Sequence, residues 1–122
     1  MKYMLLCYDD DQAWARAGTG ARERAMQEAV QLTHQMHAKG QYLLAAPLHP
    51  VETATSVRVR DGKRLITDGP FAETREVLGG FYLIDVNNLD EAIEIAARHP
   101  GARVGTVEVR PVIEIAGLPP GQ

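Results

Sequence analysis

Two segments of this chain are apolar on both sides of a strand, and that constrains its fold more than any other feature. Tyr3 to Tyr8 sets Tyr3, Leu5 and Cys7 on one face and Met4, Leu6 and Tyr8 on the other. Gly80 to Val86 sets Phe81 and Leu83 against Tyr82, Ile84 and Val86. Successive strand side chains point to opposite faces, so both segments call for cover on both sides.

The rest of the chain supplies only part of that cover. Ala21 to Lys39 reads as a helix, with Ala25, Ala29, Leu32 and Met36 as its apolar stripe, widened by Met26, Val30 and Thr33. Gly40 is its expected terminator. Asn88 to Arg98 reads as a second helix, capped by Asn88 with Glu91 in capping-box position. Its predicted stripe is Leu89, Ile93, Ala96 and Ala97, and Pro100 and Gly101 end it. Between the helices lie a short strand at Tyr42 to Ala46 and a hairpin. The hairpin runs from Thr53 to Arg60, turns at Asp61-Gly62 and returns over Lys63 to Thr67. A last strand is expected over Val107 to Ile115, with a frayed tail from Gly117. Asp9 to Gly20 reads as a loop anchored by Trp14.

The resulting order is an α+β chain of the ferredoxin-like βαββαβ plan with an inserted β-hairpin. Two helices cover one sheet face. The simplest cover for the other face is the same face of a second copy, which gives a homodimer through sheet faces.

Length and charge narrow the function. At 122 residues the chain is expected to form a single domain over residues 1–116, followed by a flexible tail over 117–122. The net charge is −3 and the basic residues are scattered, which disfavours nucleic acid as a partner. No apolar run reaches the length of a membrane span. Asp9, Asp10 and Asp11 follow the first apolar run where a signal peptide would have a small-residue cleavage site. With Cys7 as the sole cysteine, no intrachain disulfide is possible, and the chain reads as cytoplasmic. No phosphate loop, dinucleotide fingerprint or nucleophile elbow occurs, so no cofactor is expected.

One stretch is specific enough to suggest kinship. Thr67-Asp68-Gly69-Pro70-Phe71-Ala72-Glu73-Thr74-Arg75-Glu76, followed by Leu78-Gly79-Gly80-Phe81-Tyr82, resembles the signature of the DGPF branch of the YCII-related proteins. Ala54 to Arg58, Leu89 to Ala92, Ala96 to Pro100 and Gly105 to Val112 match as well. The resemblance implies a dimeric α/β barrel of ferredoxin-like subunits. For activity it implies two directions. Some YCII-like relatives act on small aromatic-derived or lactone-like compounds, and other DGPF proteins are associated with extracytoplasmic-function sigma factors. The family's His–Asp pair places its His on the first helix. Counting back from Gly40, that position falls at Ala29 or Leu32 rather than at His34 or His37, so the pair does not carry over.

Several residues could carry acid/base chemistry, and each has a plainer alternative. Asp68 ends a strand before Gly69-Pro70, as a general base or as the acceptor of an Asx-turn. Glu73 and Glu76 would share a face if their segment were helical, as a carboxylate cluster or as surface partners of Arg75. Arg58 and Arg110 suit an anionic substrate or an ion pair with Glu108 or Glu73. His49 is the best-placed proton carrier, or else an exposed loop histidine. His99 is expected to meet the last carbonyls of its helix. The four histidines form no metal signature.

Two functions follow. One is a small-molecule enzyme or binder, its pocket lined by Tyr82, Phe71 and Trp14 with Asp68, His49, Glu76 and Arg58 as polar groups. The other is a regulatory or interaction module, which would need an apolar patch beyond the dimer face.

Overall fold

The computed structural model describes residues 1–119. The last three residues of the expected tail lie outside them. The chain is an α+β protein with antiparallel sheets and four helices, compatible with a ferredoxin-like fold. Its strands are β1 (Lys2–Asp9), β2 (Tyr42–Pro47), β3 (Thr55–Arg60), β4 (Lys63–Asp68), β5 (Val77–Asp85) and β6 (Thr106–Pro111). Its helices are α1 (Asp11–Ala17), α2 (Ala21–Ala38), α3 (Leu89–Arg98) and α4 (Gly101–Val104).

The main sheet runs β2-β5-β1-β6, so the two strands with apolar faces on both sides take the central places. Tyr3 stands opposite Ile84 and Leu5 opposite Tyr82. These four side chains form the core with Leu32 and Met36 of α2 and Ala92, Ile95 and Ala96 of α3. Both long helices therefore pack on one face. Met4 stands opposite Leu83 and Leu6 opposite Phe81, on the other face, where none of the four joins the buried cluster.

Each long helix ends where local chemistry stops it. Gly40 (φ 71°) follows α2 in the left-handed region. Its N–H donates to His37 O, and Gln41 N–H donates to Met36 O at 2.9 Å, a Schellman closure. Asn88 Oδ1 accepts Glu91 N–H at 3.0 Å at the start of α3. The reciprocal half of the expected capping box is displaced by one residue. The Glu91 carboxylate accepts from the N–H and side chain of Asn87, which hold its carboxyl below the usual range.

Five expectations need correction. The stretch Asp9 to Gly20 contains a helix: Asp10 caps it by accepting Gln12 N–H at 2.9 Å, and Gly18 (φ 103°) stops it. The α3 stripe is rotated. Ala92, Ile95 and Ala96 are buried, while Leu89 and Ile93 are about half exposed at 48% and 49%. The small alanines let this face approach the sheet. Thr53 belongs to a single 3-10 turn, Val51–Thr53, before β3. A short helix, α4, follows Pro100. The last strand ends at Pro111, short of the expected Ile115: its pairing with β1 ends at Tyr3 opposite Pro111, followed by a Val112 N–H to Lys2 O bond, and among the described residues no strand pairs with 112–115.

β3 and β4 form a sheet of two strands, joined by Asp61 (φ 52°) and Gly62 (φ 74°). Both turn residues are left-handed, as a two-residue hairpin loop requires. Val57 faces Ile66 and Arg58 faces Leu65 across the pair. Val57, Val59, Leu65 and Ile66 are all exposed.

Candidate functional site

A cavity of about 610 Å³ lies against the paired ends of β1 and β5, beside α2 and Trp14 of α1. β5 carries a bulge there. Cys7 pairs with Gly80 but Tyr8 pairs with Leu78, so Gly79 is an extra residue in β5. The bulge leaves room for the Asp9 carboxylate. A Cβ on Gly79 would lie 3.4 to 3.6 Å from that group. Ala25, Ala29 and Val30 of α2 give the cavity an apolar wall.

Its polar groups are few and mostly engaged. Asp9 Oδ2 accepts from Trp14 Nε1 at 2.9 Å, which ties α1 over the opening. Arg22 stacks 5.6 Å from the Trp14 ring and pairs with Asp11 at 2.8 Å. Thr33 Oγ1 lies 2.8 Å from Ala29 O and 3.3 Å from the Tyr82 hydroxyl. Burial raises the Tyr82 pKa, with the Thr33 contact opposing it, and keeps the phenol protonated. His99 meets the Tyr82 ring edge-on at 5.4 Å. Its Nδ1 accepts Gly101 N–H at 2.9 Å, which leaves the proton of the neutral ring on Nε2. Burial lowers the His99 pKa, with Glu28 opposing and Arg103 assisting, so the ring is held neutral. His99 thus caps the turn into α4 rather than the end of its own helix.

Cys7 lies on the cavity wall, but it is a poor nucleophile. Burial, then the charge of Asp9, pushes its thiol up from 9.0 to about 11. Among the described residues no three His, Cys, Asp or Glu converge as a metal-holding group. No described helix is long and apolar enough to cross a membrane.

Of the residues singled out in the sequence, the cavity collects His49, Tyr82 and Trp14. Asp68, Arg58, Phe71, Glu73, Glu76 and Arg110 are exposed and do not line it. The turn after Asp68 is held by Gly69 N–H to Ala54 O (2.6 Å) and Ser56 Oγ to Gly69 O (2.9 Å), not through the Asp68 carboxylate. Residues 69–76 form no helix, so Glu73 and Glu76 share no helical face. Glu76 Oε1 accepts from Thr106 Oγ1 at 3.0 Å. Arg110 reaches Glu108 at 3.8 Å.

Arg75 makes a contact that its place in the sequence does not suggest. Its Nε donates to Asp10 Oδ2 at 3.0 Å, at the cap of α1. The Gln12 N–H and then Arg75 hold the Asp10 carboxyl below its usual value. The signature stretch thereby braces the helix that closes the cavity. Asp9 and His99 are the site residues that sequence reasoning missed. Gly79-Gly80 marked the bulge, but only the fold shows which carboxylate it admits.

An α+β chain with this sheet order, a detached hairpin and a cavity at the bulged end of β1 defines a class before it defines a protein. Two comparisons narrow it. The family model for the YCII-related domain matches residues 1–116. An uncharacterized protein of Rhizobium meliloti (strain 1021) is 37% identical over 114 residues, covering 92% of each chain. The chain belongs to the YCII-related family.

Proposed function

We propose that this protein binds a small, largely apolar molecule in the cavity at the bulged end of β1 and moves a proton on it. The observation that carries the reading is the cavity: about 610 Å³, large enough for a metabolite, with an apolar wall and a few convergent polar groups. Asp9 is the fixed carboxylate, Tyr82 and neutral His99 are donors, and His49 at the loop is the group that exchanges protons with solvent. Asp68, Glu73, Glu76, Phe71, Arg58 and Arg110 stand outside this set in their own chain.

The reading includes a homodimer, with the Met4, Leu6, Phe81 and Leu83 faces of two copies opposed and the two sheets forming a barrel-like sandwich. The single structural unit over residues 1–116 is the unit of that pairing.

The test is a panel of phenols, aromatic acids and lactones, read by quenching of Trp14, the one tryptophan. At least one class should give saturable quenching in the native protein. Asp9→Asn should weaken it, and Ala29→Phe, which fills the cavity, should abolish it. Binding unaffected by Ala29→Phe, or no binding across the panel, sinks the cavity reading. A monomer by light scattering at micromolar concentration sinks the sheet pairing.

A further inference from the structure

The β3–β4 hairpin is a two-stranded sheet with no third strand, and such a ribbon is marginal in water without something to pack against. Among the described residues nothing covers its apolar side chains. Val57, Val59, Leu65 and Ile66 are 61%, 58%, 48% and 59% exposed. Opposite residues of an antiparallel pair share a face, so Val57, Val59 and Ile66 lie together on one side with Arg64, and Arg58, Arg60 and Lys63 lie with Leu65 on the other. Six-residue strands reach about 20 Å, far enough to cross onto a neighbouring molecule.

The charge of the arm says what that neighbour is. Residues 58–64 hold Arg58, Arg60, Lys63 and Arg64 against Asp61, a net of +3. The whole chain carries −3, so the remainder carries −6. None of the four bases has a carboxylate within ion-pair distance among the described residues. The body carries a complementary strip just past the end of β6. Ile113 and Ile115 are 80% and 62% exposed, next to Glu114, and Glu108 lies on the same end strand. Glu114 and Glu108 hold their own partners, Lys2 and Arg110, only at 3.5 and 3.8 Å. The apolar face of the arm carries Arg64 opposite Val59, and the strip carries Glu114 between Ile113 and Ile115.

We propose that the β3–β4 arm clasps a second copy of this chain, covering the partner's stretch over residues 112–115 with its apolar row and setting Arg64, which shares that face, against Glu114, while the bases of its other face add attraction to the acidic strip at longer range. Twofold symmetry makes the contact twice. The inference rests on the sheet pairing proposed above and adds a second, separable contact to it.

Sedimentation equilibrium on the full chain tests it, at low and at 0.5 M salt. The wild type should be a dimer, weakened by salt. Arg58→Glu with Arg64→Glu should raise its dissociation constant about tenfold or more, as should Glu108→Lys with Glu114→Lys. All four together should recover most of the loss. Val57→Ser with Ile66→Ser should weaken the dimer independently of salt. A wild-type dimer that neither charge pair weakens, or losses that the fourfold variant does not recover, overturns the clasp and leaves the sheet pairing standing. A wild-type monomer overturns both.

Discussion

Gly105→Ala is expected to unseat the cavity through the backbone. Gly105 lies between α4 and β6, against the end of β1. A Cβ there would sit 2.1 Å from the Tyr8 carbonyl oxygen and 2.9 Å from Asp9 Cα, both main-chain atoms that no rotamer change can move. An ordinary C···O contact is about 3.3 Å, so roughly 1.2 Å must be opened. Tyr8 stands opposite Thr106 in the ladder, and opening that gap frays the pair. Overpacking costs about 1–3 kcal/mol and a lost ladder hydrogen bond about 1 kcal/mol, which together come to about 3 kcal/mol. With a urea slope of about 1.5 kcal/mol per molar, the midpoint should fall by roughly 2 M, compared at equal protein concentration. Asp9 moves with Tyr8 and releases Trp14 Nε1, so the emission of the sole tryptophan should change before unfolding. Gly79→Ala is the control: its Cβ would meet only the Asp9 side chain, at 3.4 Å or more, and should cost less than about 1 kcal/mol. A Gly105→Ala midpoint within about 0.3 M of wild type, with unchanged emission, would refute the argument.

Stability should fall at both ends of the pH scale. His99 titrates below its ordinary 6.5 in the fold, so the unfolded chain takes up that proton first and stability drops as pH falls through about 6.5. Cys7 titrates near 11 in the fold against 9.0, so the unfolded chain loses that proton first and stability drops as pH rises from 9.0 towards 11. Urea midpoints at several pH values should show His99→Gln flattening the acid limb and Cys7→Ala shrinking the alkaline one, with Tyr82 supplying what remains; unaltered limbs would contradict the assignment. In α3, Ile95→Ala should cost about 2–5 kcal/mol and Ile93→Ala less than about 1 kcal/mol, since Ile95 is 2% and Ile93 49% exposed; equal losses would mean the helix is turned the other way.

The central strands were legible because a short run with apolar residues on both faces, bounded by turn residues, fits a strand buried on both sides. The hairpin was legible because Asp-Gly supplies two left-handed residues in a row. The face of α3 was not. Leu89 and Ile93 are the bulkier side chains at helical spacing, yet the face with Ala92, Ile95 and Ala96 is the one that joins the buried core. α1 escaped because seven residues hold too little of the helical period, although Asp10 was its cap all along. Asp68 drew attention as the carboxylate before a sharp turn, whereas backbone bonds hold that turn and leave its side chain on the surface. The carboxylate held at the bulge is Asp9, which lines the cavity with Asp11 and Glu52. Its aim depends on one extra residue in a different strand, which no reading of its own neighbours can supply.

The cavity and the core also draw on different parts of the chain. Leu5, Met36 and Ile84, the largest fully buried side chains, lie away from the cavity lining, and α1, which closes it, contributes no buried residue. What holds α1 down is a short set of polar links: Trp14 to Asp9, Arg22 to Asp11 and Arg75 to Asp10. Polar links near the surface break and re-form at small cost, whereas opening the core means exposing most of the apolar surface the fold buries. The covering helix can therefore loosen while the sheet and the two long helices stay intact, which is the motion the proposed binding calls for. The signature stretch acts on the site at a distance, through the Arg75 bond to the cap of that helix.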